Sequence, residues 1–444
     1  GATFNLATHS TNFENIIGSD YGDNLIGDSN SNNIKGDYDA TDGGADTISG
    51  LGGNDTLSGN GGDDQIDGGT GADTITTGSG TDTIILRAGD GGSTLAGADT
   101  ITDFTDGTDV LGMDDGLQYT DLTIAQGTGD NVNDTIISTG SESLAILQGI
   151  SSSNINYLDF ASMATGDQSF TGTTGDDVFI GAAGVDTVTT NTGTDVILTS
   201  AGDDIITIDG AGTKTINGGT GTDSLAISDG SSNTLTDYTI EFDTSSDTTS
   251  FINGSDRIDF INIEKLSVNS ENWIVFKDGI GYKADGTTYD VPSGNNDYLN
   301  GFFSSTSNTI KLLEGGSSGS DEKGIYLTGW LDEFGFTPGS ELTIYGSDAG
   351  DYIRPQNNSD EDTININAEA GDDLIIIYDR GSKTDVIDAG AGDDIVRVGT
   401  DFATDTLNGG DGSDTVSFWW YGFEASSGAT FNLATHSTNF ENII

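Results

Sequence analysis

Along three stretches of the chain an aspartate is followed two positions later by an aliphatic residue, and the pair recurs. In the first stretch Asp46, Asp55, Asp64, Asp73 and Asp82 stand nine residues apart, and Ile48, Leu57, Ile66, Ile75 and Ile84 follow them. The unit GNGGDDQID, residues 59–67, is representative. Alternation of polar and apolar positions is the period of a β-strand. The glycines before each aspartate (Gly43-Gly44, Gly52-Gly53, Gly61-Gly62, Gly71, Gly80) supply tight turns. A turn and a short strand, repeated, make a coil. Two units, 18 residues, predict one turn of a flattened solenoid with the aliphatics of both sheets pointing inward. Each buried Ile or Leu contributes roughly 1.5–3 kcal/mol. One coil cannot bury its own apolar face, so coils must stack.

The pattern returns with Asp177, Asp186, Asp195 and Asp204, followed by Phe179, Val188, Ile197 and Ile206, and then, after a phase break, with Asp223 and Leu225. A third block holds Asp373, Asp385, Asp394, Asp405 and Asp414, ahead of Ile375, Ile387, Val396, Leu407 and Val416. Its spacings of 12, 9, 11 and 9 predict loop insertions. Asp23 and Asn32 open the first block in a looser form. A longer period lies above this one. Residues 1–17 and 428–444 are the same heptadecapeptide, GATFNLATHSTNFENII, at an offset of 427. The expectation is one full period of a tandem array plus the start of the next copy, so that His9 and His436 are one position seen twice.

Charge turns this pattern into chemistry. There are 73 acidic residues against 13 lysines and arginines, a formal charge of −60. Such a chain repels nucleic acid and repels itself when compact. Stacking brings each ladder aspartate beside the one 18 residues on: Asp46 beside Asp64, Asp55 beside Asp73, Asp64 beside Asp82, Asp177 beside Asp195, Asp186 beside Asp204. Paired carboxylates in a partly dry turn need a cation. Carboxylate and carbonyl oxygens are hard ligands that suit calcium. The candidate ligands are Asp23, Asp46, Asp55, Asp64, Asp73, Asp82, Asp177, Asp186, Asp195, Asp204, Asp223, Asp373, Asp385, Asp394, Asp405 and Asp414. Turn carbonyls near Gly44, Gly50, Gly52, Gly53, Gly59, Gly61, Gly62, Gly68, Gly71, Gly175, Gly184, Gly193, Gly202, Gly392 and Gly412 would complete the shells, several ions per period.

The nonapeptide resembles the calcium-binding repeat of the RTX (repeats-in-toxin) family. Residues 98–137 and the NFENIIGS and NIEKLSV segments also resemble connectors of that family; 275–343 does not. The resemblance implies parallel β-roll blocks that bind calcium. It also implies export through a type I channel in an unfolded state, with folding outside the cell where calcium is plentiful. Metal binding and folding would then be one event.

The expected organisation is all-β. A first β-roll spans 1–85, a cap and small β unit 86–165, and a second roll 166–228. A β-rich non-repetitive insertion follows at 229–345, then an irregular third roll and connector at 346–427, and 428–444 begin the next copy. LTIAQ, DTIIS and LAILQ in the cap are strand candidates, and Asp-Gly at 278–279 and 285–286 marks hairpin turns. GWLDEFGF at 329–336 could form one helical turn. Two aromatic groups, Phe418-Trp419-Trp420-Tyr421 with Phe423 and Trp330 with Phe334 and Phe336, suit either plugs over the solenoid or contacts between copies.

Catalytic signatures are weak. The two histidines lie 427 apart and neither precedes Glu, against a zinc protease, and cysteine is absent. Gly315-Gly316-Ser317-Ser318-Gly319 matches a serine-hydrolase elbow literally but lacks its strand–helix flanks. No enzyme is expected, no apolar run has the length of a membrane helix, and GATFNLATHS is no signal peptide. The sequence therefore predicts a calcium-rigidified structural repeat of an extracellular fibre, sheath or surface layer, whose partners are copies of itself. The alternative is a repeat of a large bacterial surface adhesin, with 229–345 binding a glycan or surface receptor.

Overall fold

A computed structural model describes residues 1–9, 13–38, 43–228, 233–243, 245–277, 280–282, 288–290, 301–313, 325–326, 336, 340–347, 350–355, 363–377, 384–398, 405–418, 437–440 and 442–443. The fold is all-β and built on a parallel β-solenoid, with one four-residue α-helical segment, Leu6–His9, among the described residues. Two compact units divide the chain. One comprises Gly1–Phe170, Asp176–Thr187 and Asp195–Gly202; the other comprises Thr171–Gly175, Val188–Thr194 and Asp203–Ile444.

In the first unit the nine-residue period becomes two parallel sheets. Thr3–Asn5, Asn24–Ile26, Thr47–Ser49, Gln65–Asp67, Thr83–Leu86, Val110–Met113 and Phe160–Ser162 form one. Asn15–Ile17, Asn33–Lys35, Thr56–Gly61, Thr74–Ser79, Asp99–Ile101 and Glu142–Leu147 run through the other. The register is the 18-residue turn expected from two units: Ile48 pairs with Ile66, Leu57 with Ile75 and Ile66 with Ile84. Where the sequence inserts five residues the strands stay aligned, Leu25 opposite Ile48 and Ile34 opposite Leu57. The seven aliphatics Ile34, Ile48, Leu57, Ile66, Ile75, Ile84 and Ile101 are all fully buried. The second sheet ends in an antiparallel meander of Glu142–Leu147, Thr135–Thr139 and Leu122–Gln126, the LAILQ, DTIIS and LTIAQ segments.

The second unit alternates parallel coils with antiparallel hairpins. Ile205–Ile208, Ser224–Ile227 and Lys265–Val268 stack in parallel, Ile206 on Leu225 on Leu266. Glu271–Lys277, Gly301–Ser304 and Thr309–Leu312 then reverse direction strand by strand. Beside them Thr239–Asp243, Thr248–Asn253 and Asp256–Ile261 form a meander. Phe251 packs edge-to-face on Phe260 and on Phe302 at 5.1 and 5.5 Å. Parallel coiling resumes with Glu341–Tyr345, Thr363–Asn367, Val386–Asp388 and Thr406–Asn408 on one side. Tyr352–Arg354, Leu374–Ile377, Ile395–Val398 and Thr415–Phe418 line the other. Ile344, Ile353, Ile366, Ile375, Ile387, Val396, Leu407 and Val416 fill the space between them.

Several sequence features lie outside the described residues: the Asp-Gly turns at 278–279 and 285–286, residues 315–319, His436, the side chains of 418–423, and all of 329–336 but Phe336. Phe336 packs, partly buried, against the second unit's core. No helix among the described residues is long and apolar enough to cross a membrane.

Candidate metal centre

Each of the candidate ladder aspartates but Asp195, which lies within Gly193–Leu198, sits one residue before a short strand, so strand stacking also stacks the carboxylates. The result is a hydrogen-bond ladder. The N–H of Asp46 donates to Asp64 Oδ1 at 2.8 Å, Asp55 to Asp73 at 2.7 Å and Asp64 to Asp82 at 2.9 Å. Asp23 and Asn32 join at the start, donating to Asp46 and Asp55 at 2.6 and 2.7 Å. In the second block Asp177 donates to Asp195 at 3.0 Å, Gln168 to Asp186 at 2.8 Å and Asp204 to Asp223 at 2.8 Å. In the third, Asp373 donates to Asp394, Asp394 to Asp414 and Asp385 to Asp405, at 2.8, 2.9 and 3.1 Å.

Sequence reasoning missed the ends of these ladders. Asp73 and Asp82 donate to Asp99 and Asp109 at 2.9 and 3.2 Å, Asp351 donates to Asp373 at 2.6 Å, and Asp223 to Glu264 at 2.8 Å. The signal existed for three of them. Asp99-Thr100-Ile101, Asp109-Val110-Leu111 and Asp351-Tyr352-Ile353 carry the same Asp-x-aliphatic pattern, displaced by insertions. Lys214 was also missed. Gly212-Thr213-Lys214-Thr215-Ile216 follows Gly193-Thr194-Asp195-Val196-Ile197 with lysine in place of the aspartate and threonine in place of the valine. Lys214 is fully buried, and its ammonium donates to the Gly193 and Ala211 carbonyls at 2.9 and 3.2 Å.

The second carboxylate oxygen behaves differently. Oδ2 of Asp46, Asp55, Asp64, Asp73, Asp82, Asp223, Asp373 and Asp394 is buried and accepts no hydrogen bond. An ionised oxygen in that state is costly. Burial pushes Asp46, Asp55, Asp82 and Asp394 up to about 6, Asp64 and Asp223 to about 7 and Asp373 to about 8. At Asp64 the neighbouring Asp82 and Asp46 carboxylates push the same way, and the Asp46 N–H opposes them. The buried pair Asp73 and Asp99 is also raised, first by burial. Asp23 is held below the ordinary range: burial raises it, but the Ser19 and Ala2 N–H groups and the Ser19 hydroxyl outweigh burial.

Glycines shape the hole in front of the orphaned oxygen. A methyl group on Gly50 would strike both Asp55 Oδ2 and the Gly68 carbonyl oxygen; on Gly59 it would strike Asp64 Oδ2 and the Thr77 carbonyl. On Gly68 it would meet Asp73 Oδ2 and Asp99 Oδ2. Gly53, Gly62, Gly71, Gly193, Gly202, Gly392 and Gly412 hold positive φ at the turns. Gly52 and Gly61 lie against the turn of the next coil, near Thr70 and Ser79. Gly44 and Gly184 instead press on the backbone of the preceding coil, and Gly175 donates to the Thr173 hydroxyl. Among the described residues no three carboxylate or imidazole side chains converge in a metal-sized group. A cation at these corners therefore has to draw on main-chain carbonyls. Orphaned carboxylate oxygens facing carbonyls across a glycine-walled hole are the donor set that calcium takes, and the residues present fit it.

The insertion offers less. A cleft of about 40 Å³ is lined by Phe242, Phe260, Val275, Phe276, Tyr282 and Phe302, among others.

A family model, RTX calcium-binding nonapeptide repeat, matches residues 41–75, 58–91, 171–206, 381–404 and 402–418. No curated protein matches the chain. Among solved structures the chain is similar to the AlgE6R3 subunit of the Azotobacter vinelandii mannuronan C5-epimerase. That match has 21% identity and a TM-score of 0.17, and covers 32% of this chain and 80% of that one. It is also similar to the extracellular lipase LipA of Serratia marcescens, at 16% identity and a TM-score of 0.15, over 55% of this chain and 38% of the lipase.

Proposed function

Because this chain belongs to the RTX proteins, whose nonapeptide repeats bind calcium, we propose that it is a calcium-rigidified structural repeat of a secreted extracellular assembly. The ladder aspartates would hold the ions, each through its buried Oδ2 and the turn carbonyls of its own and the next coil. Bound calcium would supply the positive charge that lets stacked carboxylates stay ionised. The chain's own part is to present those oxygens in register, which the strand pairing does, and to keep water out, which the aliphatic row does.

The observation that carries the assembly reading is the duplicated heptadecapeptide. Its first copy supplies strand Asn15–Ile17, paired forward to Asn33–Lys35. Its second supplies Asn442–Ile443, paired backward to Thr415–Phe418. The same Asn-Ile pair thus accepts a parallel neighbour on either side: Val416 on Ile443, and Ile16 on Ile34. Superposing the copies gives a coil with partners before and after it, as a tandem array of 427-residue periods requires. The partners on this reading are further copies, in a fibre, sheath or surface layer at the bacterial cell surface.

Electron microscopy of the calcium-loaded protein tests this. Ordered filaments or lattices are expected. Monodisperse short rods that do not associate at any calcium concentration would overturn the assembly role and leave the adhesin reading.

A further inference from the structure

The ladder corners come in two kinds, and one backbone angle separates them. Before Asp55, Asp64, Asp73, Asp82, Asp373 and Asp394, the residue four positions upstream is left-handed. These residues are Leu51, Asn60, Gly69, Gly78, Glu369 and Gly390, with φ of 70, 71, 81, 108, 71 and 97°. Each of those six aspartates has a buried Oδ2 without a hydrogen bond. At Asp23, Asp109, Asp186 and Asp351 the upstream residue is Ser19, Thr105, Ala182 or Ser347, none of which has positive φ. There its N–H donates to Oδ2 at 2.6, 2.7, 2.9 and 2.7 Å. Asn32 is closed in the same way by the Asp28 N–H at 2.8 Å. Asp99 stands outside the rule: Leu95 lacks the left-handed turn, and its N–H does not reach the Asp99 carboxylate.

At the six corners below a left-handed residue no N–H reaches Oδ2, and at the four others the upstream N–H does. Leucine and glutamate adopt the left-handed form at a cost, and strain of that kind persists where the surroundings demand it. Here the strain withholds a donor from a buried carboxylate. We propose that the residue four before a ladder aspartate selects which corners take a cation: a left-handed residue leaves the corner open to calcium, and a residue whose N–H reaches Oδ2 closes it. Closed corners sit at ladder ends, where the N–H satisfies the carboxylate without metal. The candidate set read from sequence then divides. Asp55, Asp64, Asp73, Asp82, Asp373 and Asp394 bind calcium, while Asp23 and Asp186 cap the ladders.

This inference rests on the calcium reading, and counting ions separates the two. Bound calcium is measured by equilibrium dialysis on the 444-residue chain and on Asp64→Asn, Asp394→Asn, Asp186→Asn and Asp351→Asn. Asn keeps the ladder acceptor but removes the charge. The open-corner variants should each lose at least one ion relative to wild type, and the closed-corner variants none. Equal losses in both classes would overturn the selection rule while leaving calcium binding intact. A wild-type chain that binds no calcium would instead overturn the proposed function. Should an open-corner variant fail to fold, crystals of the unaltered protein grown with terbium decide. Anomalous density at the Asp64 and Asp394 corners and none at Asp186 and Asp351 supports the rule. Density at the latter two overturns it.

Discussion

The first and third repeat blocks build the same ladder from different spacings. In the first, Asp46, Asp64 and Asp82 are 18 residues apart; in the third, Asp351, Asp373, Asp394 and Asp414 are 22, 21 and 20 apart. Both give N–H to Oδ1 distances of 2.6–2.9 Å. Both also bury the aliphatic two residues on, Ile66 and Ile375 each being fully buried. The lesson is that coil length is free and register is not. Parallel pairing of Asp-x-aliphatic segments sets where the carboxylates meet, and extra residues leave the strands aligned. The meander around Phe251 forms the contrast, with ring-on-ring packing of Phe251 on Phe260 and Phe302 in place of a carboxylate ladder.

The largest expected effect is on removing calcium. By hydrogen exchange in chelator, Thr56–Gly61, Thr74–Ser79, Leu374–Ile377 and Ile395–Val398 should lose protection, because uncompensated buried carboxylates oppose stacking. Thr248–Asn253 and Asp256–Ile261 should keep more of theirs. If the meander melts together with both blocks, the contrast drawn here is wrong.

Next in size is a single carboxylate. Asp64→Ala strands the Asp46 N–H and removes the oxygen facing the Thr77 carbonyl. An unmet buried donor costs about 1–3 kcal/mol, so the calcium-loaded melting temperature should fall, and Asp394→Ala should match it. Asp130→Ala, at an exposed site, is the control. A third-block loss no larger than the control's would mean that the irregular ladder is ornamental.

Proton linkage gives a smaller, signed effect. Burial raises Asp64 to about 7 and Asp373 to about 8, above their ordinary carboxylate values. A group whose folded value is raised stabilises the fold below its unfolded value of about 4 and loses that contribution as pH climbs through the folded one. Without calcium, β-structure by circular dichroism should therefore weaken between about pH 4 and 8. With calcium bound the trend should reverse, since the ion competes with protons for the same oxygens. A calcium-free chain equally folded at pH 5 and 8 would contradict the raised values.

The smallest effect concerns the strained turns. Leu51→Gly and Glu369→Gly remove the side-chain penalty for positive φ, roughly 1 kcal/mol each. Each should raise the melting temperature, and equal gains would show that both blocks use the same turn.

Much of this could be read along the chain. Asp-x-aliphatic alternation under glycine turns dictates parallel coils, because only stacking buries Ile48, Ile66 and Ile84 together, and the repeat of Asp46, Asp64 and Asp82 names the ladder. Insertions hid Asp99, Asp109 and Asp351, which keep the local pattern but lose the period. Lys214 hid because lysine stands where the local pattern puts aspartate, and Glu264 carries no local signal, since its place depends on a distant strand pairing.

What sequence alone determined is the kind of coil and the chemistry of its edge, because periodicity and composition act locally. Tertiary structure decided which carboxylate oxygens are left without a donor. That depends on the φ of Leu51 or Ser347 and on the carbonyl of the coil above, and neither exists until the coils have stacked.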